Sequence, residues 1–297
     1  MDLSIQDKNN LFSLPMNFYE GNGFCNEEAL DKRFCIVLIE KGSGFLKINN
    51  TAKPFIAPTI MCINEKEKIL IDNNIYVKVI YMHPSIINGE FNFKNIRDEN
   101  SNFSLTTIQD NYWNRFFIER SNNYEGILNV GPSTYNRFKQ LFTAYTQEAG
   151  SQSRENWPCR SRSFIIEILF LIENVYYDDD LLNEASIKYD DSEFNSILLY
   201  LMNNYYEKIT INDLTKKFNI NRTSLSEKFN KYTGETIISY INKLRIKVAA
   251  TMLRDTKLPI AEIMERVGFS DNTHFLRTFK KYMKISPKEY RDKHCWL

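Results

Sequence analysis

Two stretches in the last third of the chain set hydrogen-bonding side chains on one face of a short helix. In NRTSLSEKFNKY, Leu225 and Phe229 share the apolar side, so Arg222, Thr223, Ser226, Glu227 and Asn230 point away from it. In DNTHFLRTFKKY the inward pair is Phe275 and Phe279, which leaves Asn272, Thr273, Leu276, Arg277 and Lys280 outward. These groups match base edges. An arginine fork fits guanine, an asparagine amide fits adenine, and Thr273 or Leu276 fits the thymine methyl. Glu227 can accept from cytosine N4, although beside phosphates it pairs more readily with Arg222 or Lys231. Arg222, Lys228, Lys231, Lys280 and Lys281, with Lys243 and Lys247, are the phosphate candidates, which position without specifying.

The elements that must hold these faces come from one duplicated segment. ITINDLTKKFNINRTSLSEKFNKY recurs as LPIAEIMERVGFSDNTHFLRTFKKY, 49 to 50 residues further on. Each copy predicts a short helix, a break at Asn219 or Gly268, a capping residue (Asn221, or Ser270/Asp271) and a second short helix. That pattern is a helix-turn-helix. Between the copies, ETIISYINKLRIKVAATMLRD carries Ile237, Tyr240, Ile241, Leu244, Val248 and Met252 on one stripe, without Gly or Pro. It predicts one helix, roughly 28 Å long at 1.5 Å per residue. Such a rod places the two outward faces about one duplex turn, roughly 34 Å, apart, so both can enter successive major grooves. A helical bundle with no nucleic-acid role explains each stripe but not the duplicated turn.

Charge separates the chain in the same place. The 297 residues carry a net charge of +1, which divides into −7 over residues 1–191 and +8 over residues 192–297. A basic third on an acidic body suits a chain of which one part meets a polyanion. Hydrophobic residues at 43% and charged residues at 25% exclude a disordered or fibrous chain, and the length favours two domains. The five cysteines are odd in number and scattered, with no CxxC, so they are read as reduced thiols and neither a disulfide framework nor a metal site is expected. No apolar stretch is long enough to span a bilayer, and the opening MDLSIQDKNN has no apolar core of a signal peptide. A cytoplasmic location is expected.

Residues 196–291 resemble the DNA-binding domain of AraC/XylS-type transcription regulators along its whole length. The stretch IAEIMERVGFSDNTHFLRTFKKYMKISPKEYR is similar to that family's signature. The resemblance implies that Thr223, Ser226 and Glu227 of the first unit, and Asn272, Thr273, Leu276 and Arg277 of the second, face the bases. The chain departs from the pattern at Thr215 and Met264, where the family usually has alanine, and at Lys284, where it usually has glycine.

Upstream, residues 33–91 read as short strands, with RFCIVLIEKGSGFLKINN as a hairpin about Gly42 and Gly44 and later breaks at Pro58, Asn64 and Asn73–Asn74. STYNRFKQLFTAYTQEA, opened by Gly131–Pro132, and FIIEILFLIENVYY then read as two helices. The strands resemble the cupin-type barrel of sugar-sensing family members, and the helices their dimerisation pair. The expected fold is therefore α+β: a cupin-like barrel with a helical pair over residues 1–177, a linker at 178–192, and an all-α DNA-binding domain over 193–297. A barrel mouth suits a small-molecule effector. Phe34, Ile36 and Leu38 form one face of a strand, and Lys47 and Lys78 are charges within strand-like runs; these are the candidate effector contacts. A metal-dependent cupin enzyme is the competing reading, and it needs clustered histidines, whereas residues 1–191 hold only His83. No cofactor and no catalytic residue is expected. The expected partners are double-stranded DNA, the effector, RNA polymerase and a second copy of the chain, with a ligand-independent DNA-binding protein as a further alternative. Arg160 and Arg162, near the start of a helix, are expected to pair with acids or to hold an anion.

Overall fold

The computed structural model describes residues 3–98, 100–121, 124–179 and 192–295. The expected linker therefore lies, from 180 to 191, outside the described residues. The N-terminal arm pairs β1 (Ile5–Gln6) with β2 (Ser13–Leu14). Strands β3 (Met16–Cys25), β4 (Phe34–Ile39), β5 (Ser43–Ile48), β6 (Thr51–Ile56), β7 (Thr59–Ile63) and β8 (Ile69–Met82), with β9 (Ile127–Asn129), make one antiparallel sheet curled into a nearly closed barrel. The long strand β8 is its spine. β3 runs along one edge of it, while β5, at Ile69 and Leu70, and β4, from Val77 to Met82, share the other.

Two expectations about the strands are corrected. The hairpin over residues 33–50 does not form: β4 pairs with β7 and β8, whereas β5 turns back onto β6. Gly42, at φ 98°, redirects the chain between the two halves of the barrel. Asn49 and Asn50, at φ 49° and 66°, supply the two left-handed residues that a tight hairpin turn requires, and so the hairpin is β5–β6. Nor do Asn73 and Asn74 end a strand, because β8 runs through them. The ladder against β3 is interrupted there: residues 72–75 of β8 bulge opposite Gly23 alone, which sits at φ 70°.

Alternation along β4 decides which side chains face the interior. Cys35, Val37 and Ile39 join Leu46, Phe55, Met61, Val79 and Tyr81 inside the barrel. Phe34, Ile36 and Leu38 face outward into a second core under the helices. That layer comprises α1 (Leu105–Asn111), α2 (Arg115–Ile118), α3 (Pro132–Ser151) and α4 (Trp157–Asp179). Phe34 stacks on Phe117 with centroids 4.4 Å apart, and Phe138, Phe142, Ile165 and Leu169 fill the same core. Each fully buried phenylalanine contributes about 1.5–3 kcal/mol. α3 opens as expected, with Gly131 before it and Pro132 at its first position, where the missing N–H costs nothing.

Among the described residues seven helices form the C-terminal part: α5 (Ser192–Asn204), α6 (Ile211–Phe218), α7 (Arg222–Thr233), α8 (Ile237–Asp255), α9 (Ile260–Arg266), α10 (Asn272–Met283) and α11 (Pro287–His294). Leu214, Leu225 and Phe229 pack with Phe194, Leu198 and the start of α8 in one core. Ile263, Val267, Phe275 and Phe279 pack with the end of α8 and Tyr290 in another. Met264, in place of a usual alanine, is accommodated in that second core. The two parts of the chain meet at both ends of this domain. Phe45 and Ala52, on the β5–β6 hairpin, pack against the first core, and Ser43 Oγ bonds Asn203 Oδ1 at 2.7 Å. At the far end, Asp255 lies against Gly131.

Candidate nucleic-acid interface

The second helix of each unit begins at a cap that the sequence identifies. Asn221 accepts from the Ser224 amide at 2.8 Å, and Asp271 from the His274 amide at 2.5 Å. The preceding turns use Asn219 at φ 51° and Gly268 at φ 87°. With Leu225 and Phe229 buried beneath α7, Arg222, Thr223, Ser226, Glu227, Asn230 and Lys231 are exposed. With Phe275 and Phe279 buried beneath α10, Asn272, Thr273, Leu276, Arg277, Lys280 and Lys281 are exposed. Lys228 is half-buried. Among the described residues Glu227 has no ion pair with Arg222 or Lys231, so its carboxylate stands open beside the other polar groups. Lys231 and Lys281 lie over the rings of Tyr232 and Tyr282, at 5.6 and 5.3 Å, with their ammonium groups still outside.

The rod is continuous. α8 holds all 19 residues from Ile237 to Asp255, opened by Thr236, whose hydroxyl accepts from the Ser239 amide. A contact that the sequence does not show also joins the two units directly. From the middle of α8, Arg245 donates through Nε to the Tyr205 carbonyl and through Nη2 to the Glu207 carbonyl, both at 2.7 Å. Its guanidinium sits 5.5 Å from the ring centroid of Phe269, in the turn of the second unit. Arg245 is half-buried, and desolvation holds its pKa below the ordinary value. Beside it, a Cβ on Gly268 would lie 2.5 Å from the Tyr206 carbonyl oxygen.

The candidate effector contacts are dispersed by the fold. Phe34, Ile36 and Leu38 are fully buried under the helices. Lys47 is exposed on the outer face of β5. Lys78, paired in register with Leu38 and so on the helical side, bonds Glu20 at 3.1 Å and lies 3.7 Å from Glu40. The inward charge is a residue that the strand pattern did not single out. Lys53, opposite Leu46 and on its face of the β5–β6 hairpin, is buried and pairs with Glu125 at 2.7 Å. Arg160 pairs with Glu148 at 2.9 Å, and Arg162 donates to the Ile86 and Ile87 carbonyls at 2.7 and 2.6 Å, so both find protein partners. His83 closes a local turn, accepting from the Ser85 amide. Among the described residues no group of three or more His, Cys, Asp or Glu side chains could hold a metal ion, and no helix is long and apolar enough to cross a membrane.

Residues 214–293 match a family model described as a helix-turn-helix domain. An uncharacterized HTH-type transcriptional regulator, YdiP of Escherichia coli K12, is 32% identical over 154 residues, which are 52% of this chain and 49% of that protein. The chain thus spans about half the length of that relative. The HTH-type transcriptional activator RhaS of Escherichia coli O127:H6 is 24% identical over 259 residues, 86% of this chain and 84% of RhaS. Among solved structures, ToxT K231A of Vibrio cholerae aligns over 94% of this chain and 97% of its own, at 17% identity and a TM-score of 0.33.

Proposed function

We propose that this chain, whose residues 214–293 match a helix-turn-helix domain and resemble AraC/XylS-type regulators, is a sequence-specific DNA-binding regulator of transcription. One observation carries the reading: two duplicated helices present their polar faces to solvent from the two ends of an unbroken 19-residue rod. In this role Thr223, Ser226, Glu227, Asn272, Thr273, Leu276 and Arg277 read bases. Arg222, Lys228, Lys231, Lys280 and Lys281 hold phosphates. YdiP and RhaS, named as HTH-type regulators, support the same class of activity.

The barrel binds a small molecule in this reading, and Lys53, the charge on the inward face, is the group that would meet an anionic one. The effector acts by favouring one arrangement of the two domains over another. The chain works as a dimer in the cytoplasm with RNA polymerase as a further partner. Exposed apolar side chains of the helical layer support dimer pairing: Phe170 on α4 is 51% exposed and packs edge-on against Trp113 at 4.8 Å, and Leu105 and Ile108 on α1 are exposed as well.

Selection of duplexes from a random pool by the full chain tests the reading. Enrichment of a bipartite site with two half-sites about one helical turn apart is expected. Retention of all sequences alike would remove base reading and leave only electrostatic attachment. For the barrel, a thermal-shift screen of the full chain against sugars, nucleotides and small carboxylates is the test, since a ligand of the folded state raises its melting temperature by mass action.

A further inference from the structure

The rod fixes how far apart the two units lie, but it does not fix their rotation about the duplex axis. A single α-helix leaves the units at its ends free to bend, and only a contact between the units removes that freedom. Arg245 supplies one. Its fork takes up the Tyr205 and Glu207 carbonyls in the segment that leads into the first unit, and its guanidinium carbon lies over the Phe269 ring, 5.5 Å from the centroid, in the turn of the second. The close approach of Gly268 to Tyr206 shuts the same seam at backbone level. Both carbonyls follow the end of α5, where the last C=O groups have no helical partner, so the guanidinium satisfies backbone acceptors while it joins the units. A lysine cannot replace it: one ammonium on a flexible stem bonds two carbonyls without a planar fork and does not stack flat on a ring.

We propose that Arg245 is a positioning residue that sets the rotational register of the two reading helices, and so the one half-site spacing that the chain accepts. The proposal rests on the DNA-reading function above and deepens it. Spacing discrimination follows from stiffness. Adding one base pair between half-sites turns one of them by roughly 35° about the duplex axis, given 10–10.5 base pairs per turn. A clamped pair of units cannot follow that rotation, whereas an unclamped pair bends at α8 and follows it at little cost.

The experiment starts from the duplex that the full chain enriches from a random pool. Spacers one base pair shorter and longer are then compared for the natural chain, Arg245→Lys and Arg245→Met, alongside each half-site alone. For the natural chain, a one-base-pair change is expected to weaken binding about tenfold or more, the scale of a lost base contact. For Arg245→Lys the penalty should fall to about threefold or less, with binding to single half-sites unchanged because the charge is kept. Arg245→Met keeps the stem and loses the fork, and should relax spacing in the same way. Gly268→Ala attacks the seam from the other unit and should match it. Spacer penalties in all three variants equal to those of the natural chain would overturn the proposal, as would a loss at single half-sites as large as the loss at the full site. Failure of the natural chain to enrich any sequence would overturn the DNA-reading function itself and this proposal with it; enrichment with unaltered spacing preference in the variants would overturn this proposal alone.

Discussion

Asp255, the last residue of α8, lies against Gly131, the residue before α3, and so joins the helix-turn-helix domain to the helical layer of the barrel. A Cβ on Gly131 would sit 2.5 Å from the Asp255 Cγ and 2.7 Å from its Cβ. The aspartate is fully buried, and Arg254 Nε donates to its Oδ1 at 2.7 Å. A carboxylate at the start of a 20-residue helix also sits at the positive end of its dipole.

Because the Asp255 Cβ belongs to a rigid helix end, Gly131→Ala must move one domain against the other. It should destabilise the full chain by about 1–3 kcal/mol in thermal or denaturant unfolding, the usual cost of overpacking. Combining it with Asp255→Gly should recover most of that loss relative to Asp255→Gly alone, a coupling read from a double-mutant cycle. Additive effects would show that the two residues do not touch in solution.

Arg277→Ala should cost roughly 1–3 kcal/mol at the enriched duplex and relax preference at one base pair. Lys281→Ala should weaken all sequences alike and flatten the dependence of affinity on salt. Competition titrations at several salt concentrations separate the two. Equal loss for Arg277→Ala on random DNA would reassign Arg277 to the backbone.

Lys284 closes α10 in the left-handed region at φ 65°, a conformation that costs an L-residue roughly 1–2 kcal/mol and glycine little. Lys284→Gly should therefore raise stability by about 1 kcal/mol, measured by denaturant midpoint at constant slope. It removes one cation as well, so low-salt DNA binding should fall slightly while stability rises.

The thiols should divide by burial. Desolvation pushes Cys62 up to about 12 and Cys35 further still. The sign is unfavourable to reaction: a thiol with a pKa near 12 is thiolate in only about one part in ten thousand at pH 8. Cys25 and Cys159, which are exposed, should react with a thiol reagent in the native chain at that pH, and Cys35 and Cys62 only after denaturation. Rapid native modification of either buried thiol would show that the barrel wall opens.

Phe34→Ala should cost about 3–5 kcal/mol, the range for a buried phenylalanine, because its ring lies flat on Phe117 beneath the helices. Its effect should appear in unfolding. A variant that kept its stability yet lost a ligand response would return Phe34 to the effector site.

The sequence by itself determined the helices and turns of the helix-turn-helix part almost completely. Helical periodicity is local, so Leu225, Phe229, Phe275 and Phe279 fixed the buried sides of α7 and α10 and thereby the outward ones. Caps such as Asn221 and Asp271 act within three residues and are legible for the same reason. The barrel was legible only as strands. Period-two alternation names two faces without saying which is inside, and strand partners lie far apart in the chain, so Phe34, Ile36 and Leu38 went to the helical layer and the hairpin formed one strand later. What the tertiary structure alone decided are the long-range meetings: Arg245 across the two units, Lys53 turned inward, and Asp255 at the head of α3. Arg245 bonds carbonyls 38 and 40 residues back, Lys53 pairs with an acid 72 residues on, and Asp255 meets a glycine 124 residues back, and no local pattern encodes such paths.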